Sequence, residues 1–75
     1  MNEKKIIFTA TEEVHELVHA AEKCDFDIDI GYQSIVIDAK SLLGVMGLGL
    51  SKELVVKYGG EDLTFENVIN KYTVA

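Results

Sequence analysis

The chain has 75 residues, 48% of them hydrophobic and 27% charged, which is typical of one small globular domain, expected to span residues 1–75. Seven lysines and no arginine stand against thirteen acidic residues, for a formal net charge of −6. This balance disfavours binding to nucleic acids and anionic membranes, which require a basic patch. Because no apolar run is long enough to cross a membrane and no signal-peptide pattern opens the chain, we expect a cytoplasmic protein.

The first third of the chain predicts a strand followed by an amphipathic helix. Residues 4–9 have a β-branched and aromatic centre, which favours a strand. Four apolar residues between positions 14 and 21 then repeat at helical spacing, so we predict a helix from about residue 10 to residue 23. Thr9 followed three residues later by Glu12 fits a capping box, which places the start of the helix there.

The middle of the chain predicts a β-hairpin and a short helix. Residues 25–30 alternate strictly between aspartate and apolar side chains, which is typical of a strand with one solvated face. Turn-forming residues at 31–34 separate it from the β-branched segment 35–37. Ser41 then predicts the start of a second helix that reaches about Leu48, with a glycine directly after it.

The last third predicts one more strand and one more helix. Residues 54–58 alternate as a strand, residues 59–62 form a turn, and apolar residues within 63–71 return to helical spacing. The predicted order is therefore βαββαβα, an α+β chain. Strands with one polar face leave a single face for packing, so we expect a four-stranded sheet with three helices on one face, an open-faced β-sandwich.

Residues 38–50 resemble the segment around the regulatory serine of HPr, the histidine-containing phosphocarrier of the bacterial sugar phosphotransferase system. The family pattern there is roughly K-S-I-M-G-V-M-S-L-G, and this chain reads K-S-L-L-G-V-M-G-L-G. The resemblance extends upstream through residues 21–28, similar to A-x-K-F-x-S-x-I, and downstream through residues 58–62, similar to A-x-G-x-D-E. It covers nearly the whole chain and implies the HPr-like fold.

The resemblance also implies a set of functional residues. Ser41 corresponds to the serine that HPr kinase phosphorylates, and as a helix N-cap it also has a structural role. The partner-docking surface of the family corresponds here to Lys40, Leu42, Leu43 and Met46. We therefore expect protein partners of the phosphotransferase-system or HPr-kinase type, no cofactor and no bound metal, and a monomer or weak homodimer.

The chain departs from the family at the phosphoacceptor motif, G-x-H-A-R-P-A. Counting without gaps places Ala10 at the histidine, Glu12 at the arginine and Glu13 at the proline. Alanine has no nucleophilic nitrogen, and glutamates repel a phosphoryl group that an arginine would neutralise. The sequence therefore predicts a regulatory or interaction module that acts through the Ser41 helix, and neither a histidine phosphocarrier nor an enzyme.

Two alternatives remain open on the residues. In the first, the chain is a working phosphocarrier whose acceptor is a non-standard residue such as His15. In the second, His15, Glu16 and His19 form the H-E-x-x-H pattern of a zinc site, in which two histidines bind the metal and the glutamate activates water. The helical periodicity predicts that both histidines face solvent, which disfavours a zinc centre. Both also lie one to two turns from the free N–H groups that stabilise an anion at a helix start, which disfavours a displaced acceptor.

Overall fold

A computed structural model describes residues 1–74 and shows seven elements in this part of the chain. The strands are β1 (Asn2–Ile7), β2 (Ile28–Tyr32), β3 (Ile35–Asp38) and β4 (Glu53–Tyr58), and the helices are α1 (Thr11–Glu22), α2 (Leu42–Leu48) and α3 (Leu63–Asn70). The strands form one sheet in the order β1-β4-β2-β3, and every neighbouring pair is antiparallel. The α+β class and the βαββαβα order are confirmed.

The sheet has one buried face and one open face, because side chains alternate along each strand. Ile28 and Ile30 of β2 are fully buried, whereas Asp29 between them is exposed. In β4 the buried side chains are Leu54, Val56 and Tyr58. The three helices cover this apolar face, with α1 packed between α2 and α3.

The core joins the predicted apolar stripe of α1 to the sheet. The four residues of that stripe are all buried: Val14, Leu17, Val18 and Ala21. Aromatic rings fill one end of the core, where Tyr58 stacks on Phe26 at 6.3 Å between ring centroids and meets Phe65 edge-on at 5.1 Å. Such aromatic packing contributes stability beyond the area that it buries.

The strand predicted over residues 25–30 begins later than expected. β2 starts at Ile28, which pairs with Tyr58, the last residue of β4. Beyond Tyr58 the chain turns through two glycines, so Asp25 and Asp27 have no neighbouring strand with which to pair. At its other end β2 extends through Tyr32, and the loop is only Gln33–Ser34 instead of the predicted 31–34.

Other boundaries shift by one to two residues. β1 spans residues 2–7 instead of 4–9, because its register pairs Asn2 with Tyr58 and Ile7 with Glu53. Residues 10 and 23 cap α1 rather than belonging to it. None of the helices found in residues 1–74 is long and apolar enough to traverse a bilayer.

Candidate functional site

The N-terminus of α1 lacks the side-chain cap that the sequence predicted. The N-cap is Ala10, which has extended backbone angles and offers no side-chain acceptor to the free N–H groups of the first turn. Thr9 lies one residue before the cap, and Glu13 rather than Glu12 turns back to it. The Glu13 carboxylate accepts hydrogen bonds from the Thr9 backbone N–H at 2.8 Å and from the Thr9 hydroxyl.

Two glutamates place negative charge at the N-terminus of α1, the positive end of the helix dipole. Glu12 and Glu13 both lie in the first turn, and Glu12 accepts a hydrogen bond from the Thr11 hydroxyl at 3.0 Å. Their carboxylates complement the positive end of the helix dipole that an incoming phosphate would otherwise use. The start of α1 is therefore acidic, and the one residue at its N-cap is a methyl-bearing Ala10.

Glu16 of the H-E-x-x-H pattern turns away from the two histidines. His15 and His19 are exposed on α1, whereas Glu16 turns toward the end of α3. Its carboxylate accepts a hydrogen bond from the Lys71 ammonium at 2.6 Å and another from the Tyr72 hydroxyl. Within residues 1–74, no group of three or more His, Cys, Asp or Glu side chains is placed to hold a metal ion.

The Glu16 contacts define its electrostatics. The hydrogen bond from Lys71 and then that from Tyr72 hold the pKa of Glu16 below its usual range. Burial, together with the hydrogen bond to Glu16, raises the pKa of Tyr72. Glu16 is therefore ionised and hydrogen-bonded to Lys71 and Tyr72. It is not available to activate water, as the corresponding glutamate does in a zinc peptidase.

Ser41 caps α2 as predicted. Its hydroxyl oxygen accepts a hydrogen bond from the backbone N–H of Gly44 at 3.3 Å, and the serine is exposed to solvent. The short helix ends at Gly49, whose φ of 90° is a left-handed backbone conformation that glycine adopts readily. The Ser41 hydroxyl is thus a helix cap on a residue that is exposed to solvent.

Close packing at Gly44 holds α2 against β3. A Cβ atom on Gly44 would lie 2.6 Å from Cγ2 of Ile37, closer than carbon atoms approach without overlap. Val45 and Leu48 of the same helix are buried in the core. These contacts leave the opposite side of α2 facing solvent.

The exposed side of α2 carries two apolar side chains, Leu43 and Met46, which we call the α2 surface. Leu43 is 85% exposed and Met46 is 38% exposed. Gly47 lies beside them, and apart from its chain neighbours and its own helix backbone a Cβ atom there would have nothing within 4 Å. The α2 surface is therefore apolar and lies beside an uncovered stretch of helix backbone.

Two of the four residues predicted for docking have other contacts. Leu42 is half-buried and packs against the core. Lys40 is half-buried as well, and its ammonium donates a hydrogen bond to the Cys24 carbonyl at 3.0 Å. Leu50 is 37% exposed and was not predicted, because it follows Gly49, where helical periodicity no longer applies.

Comparison with known proteins agrees with this architecture. Residues 11–64 match the family model described as the PTS HPr component phosphorylation site. This match covers most of the chain, so the chain belongs to the HPr family of the phosphotransferase system. The matched region begins one residue after Ala10.

Solved structures of HPr proteins share the fold. HPr-C-His from Thermoanaerobacter tengcongensis is 22% identical with a TM-score of 0.76, and the alignment covers 95% of this chain and 93% of that one. The phosphocarrier protein HPr from Bacillus anthracis is 20% identical with a TM-score of 0.73 and 95% coverage of both chains. The histidine-containing phosphocarrier protein of a Mycoplasma is 17% identical with a TM-score of 0.72 and 93% coverage of both chains.

Proposed function

We propose that this chain is a regulatory interaction module of the HPr family, which docks protein partners through the α2 surface and does not carry a phosphoryl group on histidine. The observation that carries the proposal is Ala10 at the N-cap of α1, followed by Glu12 and Glu13 in the first turn. A phosphorelay needs a nucleophile and positive charge at that place, and this chain has neither there.

The two histidines of the chain support the same proposal. His15 and His19 lie one and two turns inside α1, away from the free N–H groups that stabilise an anion at a helix start. A phosphoryl group on His15 would lie within one helical turn of Glu12 and Glu16. The cost of that like-charge contact disfavours His15 as a replacement acceptor.

Phosphoryl transfer tests this part of the proposal directly. The protein is incubated with phosphoenolpyruvate and the phosphoryl-donor enzyme of the phosphotransferase system, with an HPr that carries its histidine as the positive control. We expect acid-labile phosphate on the control and none on this chain. Acid-labile phosphate that disappears in His15→Ala would instead establish a phosphocarrier with a displaced acceptor.

The docking role is tested with two matched leucines. Leu43 on the α2 surface is 85% exposed, and Leu63 in the first turn of α3 is 77% exposed. Neither side chain contributes to the core, so aspartate at either position should leave the fold intact. With purified HPr kinase as the partner, we expect Leu43→Asp to weaken binding by about tenfold or more and Leu63→Asp to leave it unchanged. Equal affinities for all three proteins would refute docking at α2.

Modification of Ser41 is tested with HPr kinase and ATP. We expect one phosphate per chain in the parent and none in Ser41→Ala. Because Ser41→Ala also removes a helix cap, the matched control is Asp62→Ala, which removes the hydrogen bond that Asp62 accepts from the Phe65 N–H of α3 at 2.9 Å. Phosphorylation of Asp62→Ala but not Ser41→Ala identifies the site, and equal labelling of Ser41→Ala and the parent excludes it.

A further inference from the structure

His15 and His19 are not used by the proposed docking role, and their arrangement on α1 has a chemistry of its own. We propose that the pair forms a two-histidine site for a borderline divalent transition cation such as Zn²⁺, Ni²⁺ or Cu²⁺, without hydrolytic activity. Both side chains are exposed on one helix, four residues apart. Residues at this spacing have Cβ atoms about 5–6 Å apart on the same face.

This spacing allows both imidazoles to reach one ion. Imidazole nitrogen is a preferred ligand of these cations, with metal–nitrogen distances of about 2.0–2.1 Å. Two histidines at i and i+4 of a helix are the pair that binds zinc in H-E-x-x-H proteins. Here the pair supplies two ligands, and water completes the coordination from the solvent side.

The charges around the pair favour a cation. Glu12 lies three residues before His15, and Glu22 lies three residues after His19, so both carboxylates lie on the same exposed flank. Lys23 is the one cationic side chain of α1 or its caps, and it lies four residues after His19. Two carboxylates against one ammonium leave the flank with net negative charge.

The position of Glu16 separates this site from a peptidase centre. Its carboxylate is held at the end of α3 by Lys71 at 2.6 Å and by Tyr72. The glutamate that activates water in zinc peptidases is therefore not directed at an ion bound by His15 and His19. The pair thus offers two metal ligands without the base that the H-E-x-x-H pattern uses for hydrolysis.

Metal binding at this place has a defined consequence for α1. The helix begins at an alanine cap, so its first turn lacks one of the usual stabilising contacts. An ion that joins His15 to His19 connects two successive turns and binds the helical form better than the unfolded chain. By linkage, metal binding then stabilises the folded protein.

The experiment is a titration of the metal-free protein with Ni²⁺ and Zn²⁺, read by calorimetry and by the thermal midpoint. We expect one ion per chain and a rise of the midpoint with metal concentration. His15→Ala and His19→Ala should each lower the affinity by about tenfold or more, because chelation by two linked ligands is lost. Circular dichroism without metal checks that each variant is folded, which we expect since both side chains are exposed.

A relocated histidine is the matched control. The double variant His19→Gln/Lys23→His keeps two histidines but places them eight residues apart, about 12 Å along the helix, too far to share an ion. We expect it to bind as weakly as the single variants, and Glu16→Gln to bind as tightly as the parent. No binding by the parent, or equal binding by the parent and the relocated pair, would overturn the site. Loss of binding in Glu16→Gln would overturn the assigned ligand pair. These readouts involve no partner protein, so they are independent of the docking role.

Discussion

The hydroxyl of Tyr72 donates a hydrogen bond to the carboxylate of Glu16, which joins the end of the described chain to the middle of α1. Lys71 donates to the second oxygen of the same carboxylate. The Tyr72 ring also packs against Phe8, with 5.6 Å between ring centroids. One half-buried carboxylate therefore links α1 to the segment that ends α3.

Tyr72→Phe tests this link and its pH dependence. The phenyl ring keeps the packing on Phe8, so the variant loses mainly the hydrogen bond, for which we expect a loss of about 1 kcal/mol at pH 7. The pKa of Glu16 is lowered in the folded state, so the unfolded chain binds the proton more readily. The stabilisation is present above the unfolded pKa of about 4.3 and is lost as the pH falls through the lower folded value.

Urea unfolding of both proteins at pH 7 and pH 3 measures the effect. The difference in unfolding free energy between the parent and Tyr72→Phe should shrink at pH 3. Solvent screening limits its size, because the Glu16 side chain is 37% exposed. An unchanged difference at pH 3 would show that the hydroxyl acts through some group other than the Glu16 carboxylate.

Two glycines in α2 should respond in opposite directions to alanine. Gly44→Ala places a methyl group 2.6 Å from Cγ2 of Ile37, and we expect it to cost about 1–3 kcal/mol through overpacking. Gly47→Ala meets nothing within 4 Å beyond its chain neighbours and its own helix backbone, and it reduces the entropy of the unfolded chain, so we expect a gain of about 0.5–1 kcal/mol. Denaturant midpoints of the two variants check the signs, and a gain at both positions would contradict the tight α2–β3 contact.

The uncapped start of α1 predicts a stabilising substitution. Ala10 has the extended backbone of an N-cap without an acceptor, and Ala10→Ser supplies one for the N–H groups of the first turn. We expect an increase in the free energy of unfolding of about 1 kcal/mol. Ala10→Asp should gain less, because it places a third carboxylate beside Glu12 and Glu13. The midpoints of thermal unfolding rank the parent and the two variants. A higher midpoint for Ala10→Asp than for Ala10→Ser would show that Glu12 and Glu13 do not already neutralise the positive end of the helix dipole.

The β2–β3 loop contains a strained residue. Gln33 has a φ of 55°, a left-handed conformation that costs a residue with a side chain about 1–2 kcal/mol relative to its usual region. Gln33→Gly should therefore raise the stability by about 1 kcal/mol. Gln33→Ala, which keeps the Cβ atom, serves as the control and should give no gain. Similar midpoints for the two variants in urea would locate the effect outside the backbone.

The sequence predicted the elements well and their ends less well. Periodicity identified all four residues of the buried stripe of α1, because a helix in contact with one core must bury one face. The alternation over residues 25–30 predicted a strand, yet only its last three residues pair with a neighbour. Burial still alternates over Asp25–Asp27, although these residues form no strand pairing. The start of β2 is decided by the position at which its neighbour β4 ends.

The candidate functional site also has features that the sequence predicts and features that only the folded structure shows. The lack of a nucleophilic side chain at Ala10 and the cap at Ser41 can be predicted from the sequence. Each depends on the identity of one residue and on its place before a helix. The contacts of Glu16 with Lys71 and Tyr72 are not, because they join positions more than fifty residues apart. The half-burial of Lys40 and Leu42 likewise depends on how α2 lies against the core.

The sequence by itself determined the order of the elements, the family and the lack of an imidazole at the start of α1, because these follow from residue identity and local spacing. The tertiary structure decided which polar side chains form hydrogen bonds and which apolar side chains stay exposed to solvent. Glu16 is turned away from its histidines, and Leu43 is left in solvent beside a buried Val45. Both outcomes depend on contacts between distant segments, which form only when the chain has folded.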